Sequence, residues 1–236
     1  RLDYVAPMNQ EHAFALADAE SPAYIARGFA TAAALSENKD VVAEAFRTGK
    51  GVPFKAQSGC LACSIAEFFR PGYRANLIGA WLPAIEGIVE KLEVGAKVAD
   101  IGCGTAVLAM AAAKIWPNPV IASDIDAVAV DVARANVRAN GLEDRVHVVE
   151  AAGFDHPDLE QGQPFDLVFA NILKGPLIGL APDMGRVTAP GGRAILSGIL
   201  NPQASEVIAA YEAAGFRLDA RDEIGDWTTL VVEKLA

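Results

Sequence analysis

The period of the apolar positions changes near Gly95. From about Glu11 to Glu93, Ala-rich apolar runs recur at helical spacing and are broken by turn signals at Ser21-Pro22, Thr48-Gly49-Lys50-Gly51 and Arg70-Pro71-Gly72. Ser36-Glu37-Asn38-Lys39-Asp40 sets capping residues and acids ahead of Val41-Val42-Ala43-Glu44-Ala45-Phe46, the chemistry of a helix start. A further helix is expected over Trp81–Leu92. Beyond Gly95, short apolar runs bounded by Gly, Asp and Pro predict strands at Val98–Ile101, Val120–Ser123, Val146–Val149, Leu167–Ala170, Ala194–Ser197, Phe216–Ala220 and Thr229–Glu233. Amphipathic stretches at Ala106–Ile115, Ala127–Asn140, Leu177–Val187 and Gln203–Ala214 fill the gaps as helices. Strict β–α alternation predicts an α/β fold with a parallel sheet covered on both faces. The last two strands have no helix between them and are expected to pair antiparallel. The domain reading is a helical N-terminal segment over 1–94 and an α/β domain over 95–236.

Composition narrows the function classes. Hydrophobic residues are 52% and charged residues 21% of 236, enough apolar surface for a core and no signature of disorder. Lys and Arg total 20 against 30 Asp and Glu, a net charge of −10 that opposes binding to a phosphate backbone, so direct nucleic-acid binding is not expected. A basic protein or a small molecule suits this field better. The three cysteines, Cys60, Cys63 and Cys103, do not form the even framework of a secreted domain, which points to a reducing, cytoplasmic setting. No stretch approaches the roughly 18 apolar residues that span a bilayer. The first residue is Arg1 and not Met, so the chain is expected to begin inside a longer protein.

The densest chemistry lies in Val98-Ala99-Asp100-Ile101-Gly102-Cys103-Gly104-Thr105-Ala106, which leaves a strand, turns on two glycines and enters a helix. Such a loop lets backbone N–H groups approach a ligand closely. The third glycine of a dinucleotide fingerprint would stand at position 107, which is Val107, so a nicotinamide dinucleotide is disfavoured. At the end of the second strand, Asp124 can accept both ribose hydroxyls of a nucleoside, with a helix N-cap, which Asp126 also satisfies, as its alternative role. Asp100, ahead of the glycines, can order the loop and reach the amino group of a methionine moiety. These residues favour S-adenosylmethionine over NAD.

Asp100-Ile101-Gly102-Cys103-Gly104-Thr105 is similar to the first motif of class I S-adenosylmethionine-dependent methyltransferases. Phe165-Asp166-Leu167-Val168-Phe169-Ala170-Asn171-Ile172-Leu173, Gly175-Pro176-Leu177, Pro190-Gly191-Gly192 and Leu196-Ser197-Gly198-Ile199-Leu200 resemble one branch of it, the PrmA-type ribosomal protein L11 lysine methyltransferases. The resemblance implies a Rossmann-like seven-stranded sheet with an antiparallel last strand. It implies S-adenosylmethionine as cofactor, with S-adenosylhomocysteine as product. It also implies that Asn171 lies beside the transferred methyl group and contacts the cofactor, Ile125 lines the adenine, Gly153 and Phe154 flank the base, Gly102 and Gly104 form the loop, and Thr105 meets the carboxylate end. The Asn171 amide oxygen and the Ile172 carbonyl can accept an amine's hydrogens and aim its lone pair, so no enzyme nucleophile is needed. The alternative for Asn171 is a cap on the next helix.

The pattern departs from that branch at its amino-terminal side. Asp18-Ala19-Glu20-Ser21-Pro22-Ala23-Tyr24, Ala45-Phe46-Arg47-Thr48-Gly49-Lys50-Gly51-Val52-Pro53 and Trp81-Leu82-Pro83-Ala84 resemble bacterial S-adenosylmethionine methyltransferases carrying an N-terminal winged helix. The chain thus reads as one family's helical segment joined to another's catalytic core, a natural or engineered chimera. Cys60 and Cys63 form a C-x-x-C with no second pair, so no metal site is expected. His156 and Lys174 are weaker candidates as general base and substrate contact. The leading function is N-methylation of protein amino groups, with a ribosomal protein as first acceptor. A small-molecule methyltransferase with a helical lid and a non-catalytic S-adenosylmethionine-binding regulator are the alternatives, and a homodimer is one expected assembly.

Overall fold

The computed structural model describes residues 9–19, 21–52, 59–76, 79–80, 82–85 and 87–236. It divides into two compact units, Arg1–Gly79 and Ala80–Ala236.

The first unit is helical: α1 (Gln10–Leu16), α2 (Arg27–Glu37), α3 (Lys39–Thr48) and α4 (Gly59–Asn76). Asn9 caps α1, its Oδ1 accepting the His12 N–H at 2.7 Å, and α3 ends at Gly49 in the left-handed region. α2 lies against α4, where Arg27 meets Glu67 at 2.7 Å. The turn expected at Arg70-Pro71-Gly72 is not formed, because Pro71 sits inside α4. A proline removes one backbone hydrogen bond, yet tertiary packing routinely overrides such local propensity. The side chains of Cys60 and Cys63 lie outside the described residues. Among the described residues no helix is long and apolar enough to cross a membrane.

The second unit opens with α5 (Ile88–Glu93), shorter than the expected Trp81–Leu92. Trp81 lies outside the described residues. Residues 82–84 form turns and Gly87 takes φ 73°, so the helix starts only after that glycine. The remaining elements are β1 (Val98–Ile101), α6 (Val107–Ile115), β2 (Val120–Asp124), α7 (Ala127–Ala139), β3 (Val146–Glu150), α8 (Pro157–Gly162), β4 (Phe165–Asn171), α9 (Lys174–Val187), β5 (Thr188–Leu200), α10 (Ala204–Ala213), β6 (Phe216–Ile224) and β7 (Trp227–Lys234). Among the described residues of this unit, α8 is an α-helix without a counterpart in the sequence pattern. Its six residues are too few for a period, and only His156-Pro157 marks its start.

The sheet has seven strands in the order β3-β2-β1-β4-β5-β7-β6. β3, β2, β1, β4 and β5 are mutually parallel, while β7 runs antiparallel to both β5 and β6. The terminal pair is therefore antiparallel as expected, with β7 inserted between β5 and β6. The helices supply the apolar stripes: α9 buries Leu177, Ala181, Met184 and Val187, and α7 buries Ala129, Val130, Ala133 and Val137. Val207 and Tyr211 of α10 join Phe165 of β4 and Leu196 of β5 in the same core. Full burial of each large side chain is worth about 1.5–3 kcal/mol, which fixes the rigid floor on which the strand ends stand.

Candidate functional site

The parallel strands β1, β2, β3 and β4 end on one rim of the sheet, and the order reverses between β1 and β4. This is the crevice where open α/β sheets bind ligands. Every expected site residue follows or closes one of these strands: Asp100 to Thr105 at β1, Asp124 and Ile125 at β2, Gly153 and Phe154 after β3, Asn171 and Ile172 at β4.

The loop after β1 turns through Gly102 at φ 68°, Gly104 at φ 53° and Ala106 at φ 60°. Glycine is required at 102 for space as well as conformation, since an added Cβ would lie 2.3 Å from Ile172 Cγ2. The β1 loop and the end of β4 are thus in van der Waals contact, so two segments 70 positions apart form one surface. A Cβ at Gly104 would meet nothing within 4 Å, so that side of the loop is open. The loop is tied to β2: Cys103 N–H donates to Ser123 O at 2.9 Å, and Gly104 N–H donates to Asp124 Oδ2 at 2.9 Å. Thr105 contributes its carbonyl, which accepts from Asn136 Nδ2 at 3.1 Å.

Two carboxylates stand at this loop. Asp124 Oδ1 accepts the Asp126 N–H at 3.0 Å, and the cap of α7 is Asp126, whose Oδ1 accepts from Val128 N–H at 2.8 Å. Asp124 is therefore not the N-cap, and each of its oxygens retains acceptor capacity beyond the one backbone bond it holds. Asp100 is buried, with Oδ2 accepting from Ala109 N–H at 3.1 Å. Burial pushes its carboxyl up to about 7, the Ala109 hydrogen bond partly offsets this, and the nearby Asp124 charge adds to the rise. Burial, then the charges of Asp100 and Asp124, pushes the Cys103 thiol up as well, so it stays protonated.

Ile125 is 72% exposed at the mouth. Gly153 takes φ 64° against Leu180 of α9. Phe154 is buried at 3% among Leu159, Phe165 and Leu177, so its ring anchors the β3 loop from below. Asn171 is exposed, and the N-cap of α9 is Leu173 with no side-chain cap bond, so the capping role is not taken. Its Oδ1 faces Gly198 of β5, a residue the motif Leu196-Ser197-Gly198-Ile199-Leu200 contained but whose contact no spacing could disclose. Lys174 is held by both carboxylate oxygens of Glu206 at 3.1 Å. His156 caps α8, its Nδ1 accepting from Asp158 N–H at 3.2 Å, while His147 Nε2 lies 2.6 Å from Asp158 Oδ2. Among the described residues no group of three or more His, Cys, Asp or Glu could hold a metal ion.

The observed loop fits an adenosyl amino acid: open space at Gly104, spare acceptor capacity on Asp124 for a diol, and a buried carboxylate at Asp100 for a cation.

The chain matches known proteins at this core. It is 50% identical over 135 residues to a ribosomal protein L11 methyltransferase of Chelativorans sp. (strain BNC1), covering 57% of this chain and 47% of that protein. It spans about half the length of the curated relatives it matches. Among solved structures, a ribosomal protein L11 methylase from Lactobacillus delbrueckii subsp. bulgaricus superposes with a TM-score of 0.56 at 29% identity, over 63% of this chain and 75% of that one. An O-methyltransferase family protein from Burkholderia thailandensis matches 92% of this chain and 74% of its own at a TM-score of 0.65 and 15% identity, a likeness of fold that extends into the helical unit. The family model of ribosomal protein L11 methyltransferase (PrmA) matches residues 81–235, from the turn before α5 through β7, and by that match the chain belongs to this family.

Proposed function

We propose that the chain transfers a methyl group from S-adenosylmethionine to an amino group of a protein, with ribosomal protein L11 as the first acceptor. The contact between Ile172 and Gly102 carries this reading, because it sets the acceptor-facing pair Asn171-Ile172 against the loop that would hold the cofactor.

Asp124 would accept the ribose hydroxyls, Asp100 would balance the amino group, Gly102, Gly104 and Thr105 would line the amino-acid end, and Ile125 would cover the adenine beside Gly153. Phe154 would support that loop from the core. When bound, S-adenosylmethionine supplies a methyl carbon made electrophilic by its sulfonium. Asn171 Oδ1 and the Ile172 carbonyl would accept the hydrogens of a neutral amine and fix its lone pair. Positioning of this kind, rather than a covalent step on the enzyme, would provide the acceleration. Asn171 suits the role because it is exposed and not engaged as a helix cap.

The reading places the protein in the cytoplasm and keeps 1–94 as a functional segment apart from the catalytic domain 95–236. A homodimer is the assembly this reading proposes for that segment. The test is calorimetric titration of S-adenosylmethionine and S-adenosylhomocysteine into the chain and into Asp124→Ala, followed by transfer of labelled methyl to purified ribosomal protein L11. Micromolar binding lost in the variant, with label on the acceptor, supports the reading. Binding without label on L11 moves the acceptor to a small molecule, and no binding to the wild-type chain removes the methyltransferase reading.

A further inference from the structure

The geometry points to Gly198 as a positioning residue for the Asn171–Ile172 pair, an inference that rests on the methyl-transfer role proposed for that pair.

β5 and β7 pair Leu196 with Leu230 and Ile199 with Thr228, with a register shift between them. Ser197 and Gly198 on β5 thus oppose the single residue Thr229 on β7, the two-against-one count of a β-bulge. On its other edge β5 is in continuous register with β4 from Arg193 opposite Leu167 to Ser197 opposite Asn171. The extra residue is therefore accommodated at Gly198, which takes φ 81° and turns its backbone toward the end of β4. A Cβ there would lie 2.8 Å from Ile172 O, 3.0 Å from Asn171 Oδ1 and 3.1 Å from Ile172 N. Two of these atoms are the acceptors assigned to the amine. Any side chain at 198 would push both, and the left-handed backbone adds its own strain. The bulge presses a bare backbone against the pair, while Ile172 presses in turn on Gly102. The positions of the amide, the carbonyl and the cofactor loop are linked through these two glycines.

The test compares Gly198→Ala with Gly191→Ala. Gly191 lies in the same strand at φ 71° with nothing within 4 Å of its Cβ position, so its substitution carries the backbone strain without the collision. The Asn171 side-chain amide, identified in a nitrogen–proton correlation spectrum by its loss in Asn171→Ala, shifts in Gly198→Ala and stays put in Gly191→Ala. In transfer to L11, kcat falls about tenfold in Gly198→Ala, since relieving collisions of 2.8–3.1 Å displaces the pair by a few tenths of an ångström, while the KM for S-adenosylmethionine changes less. An unmoved Asn171 amide in folded Gly198→Ala overturns the inference. Should Gly198→Ala fail to fold, the double variant Gly198→Ala/Asn171→Ala regains part of the lost thermal stability, because one of the three collisions is gone. A double variant no more stable than Gly198→Ala overturns the inference equally. The spectrum and the melting curves need no acceptor, so a wild-type chain that leaves L11 unlabelled sinks the acceptor reading and not this one.

Discussion

Replacing Asp100 by Asn separates the cost of a buried charge from its use. The carboxyl titrates near 7 in the folded chain against an ordinary 3.8, so between those values the folded state holds a proton that the unfolded state has released. A raised acid pKa lowers stability as pH rises through that window, and the full penalty is present only above about 7. The difference of 7 and 3.8 corresponds to about 4 kcal/mol in total, of which about 3 kcal/mol is added between pH 5 and pH 8. Asn removes the titration and keeps an oxygen for the Ala109 N–H. Asp100→Asn therefore gains stability over wild type at pH 8 relative to pH 5, by about 6–12 °C in Tm for a domain of this size. Thermal melts followed by circular dichroism at both pH values measure it. The same variant loses S-adenosylmethionine affinity at pH 8, and wild-type affinity weakens as pH falls through about 7 while the variant's stays level. A stability difference between the two proteins that is independent of pH, or larger at pH 5, refutes the burial argument.

Gly102→Ala drives a methyl into Ile172 and holds Ala at φ 68°, so unfolding by urea should show a loss of about 2–4 kcal/mol together with lost cofactor binding. Asn171→Ala should leave S-adenosylhomocysteine affinity, read by calorimetry, within about threefold of wild type while methyl transfer falls about a hundredfold or more. Ala106 is the one non-glycine residue with positive φ among the described residues, so Ala106→Gly should relieve strain and leave stability unchanged or higher by up to about 1 kcal/mol, checked in the same urea titration.

The helical segment and the α/β core were both legible in the sequence because their periods differ: 3.6 before Gly95 and alternating strand and helix lengths after it. The strands β1, β2 and β3 fell within a residue of their expected bounds, since β1 and β2 are apolar runs closed by Gly102 and Asp124, and β3 is a Val-rich run closed by Glu150. The glycine loop and Asp124 were legible because backbone conformation and side-chain charge are local properties. Elements shaped by packing were not. Pro71 lies inside a helix, Gly87 delays another, and β5 extends through Pro190-Gly191-Gly192, a stretch that reads locally as a loop. The sequence by itself determined the class of fold, through its periods, and the residues that stand at the ends of the parallel strands, through its glycine loop and acids. Tertiary structure alone decided which of those residues touch: Ile172 on Gly102, Gly198 on Asn171, Phe154 in the core, and Asp126 rather than Asp124 on the helix end. Contacts between separate strands depend on register, bulge and burial, and none of these is a property of any one segment of the chain.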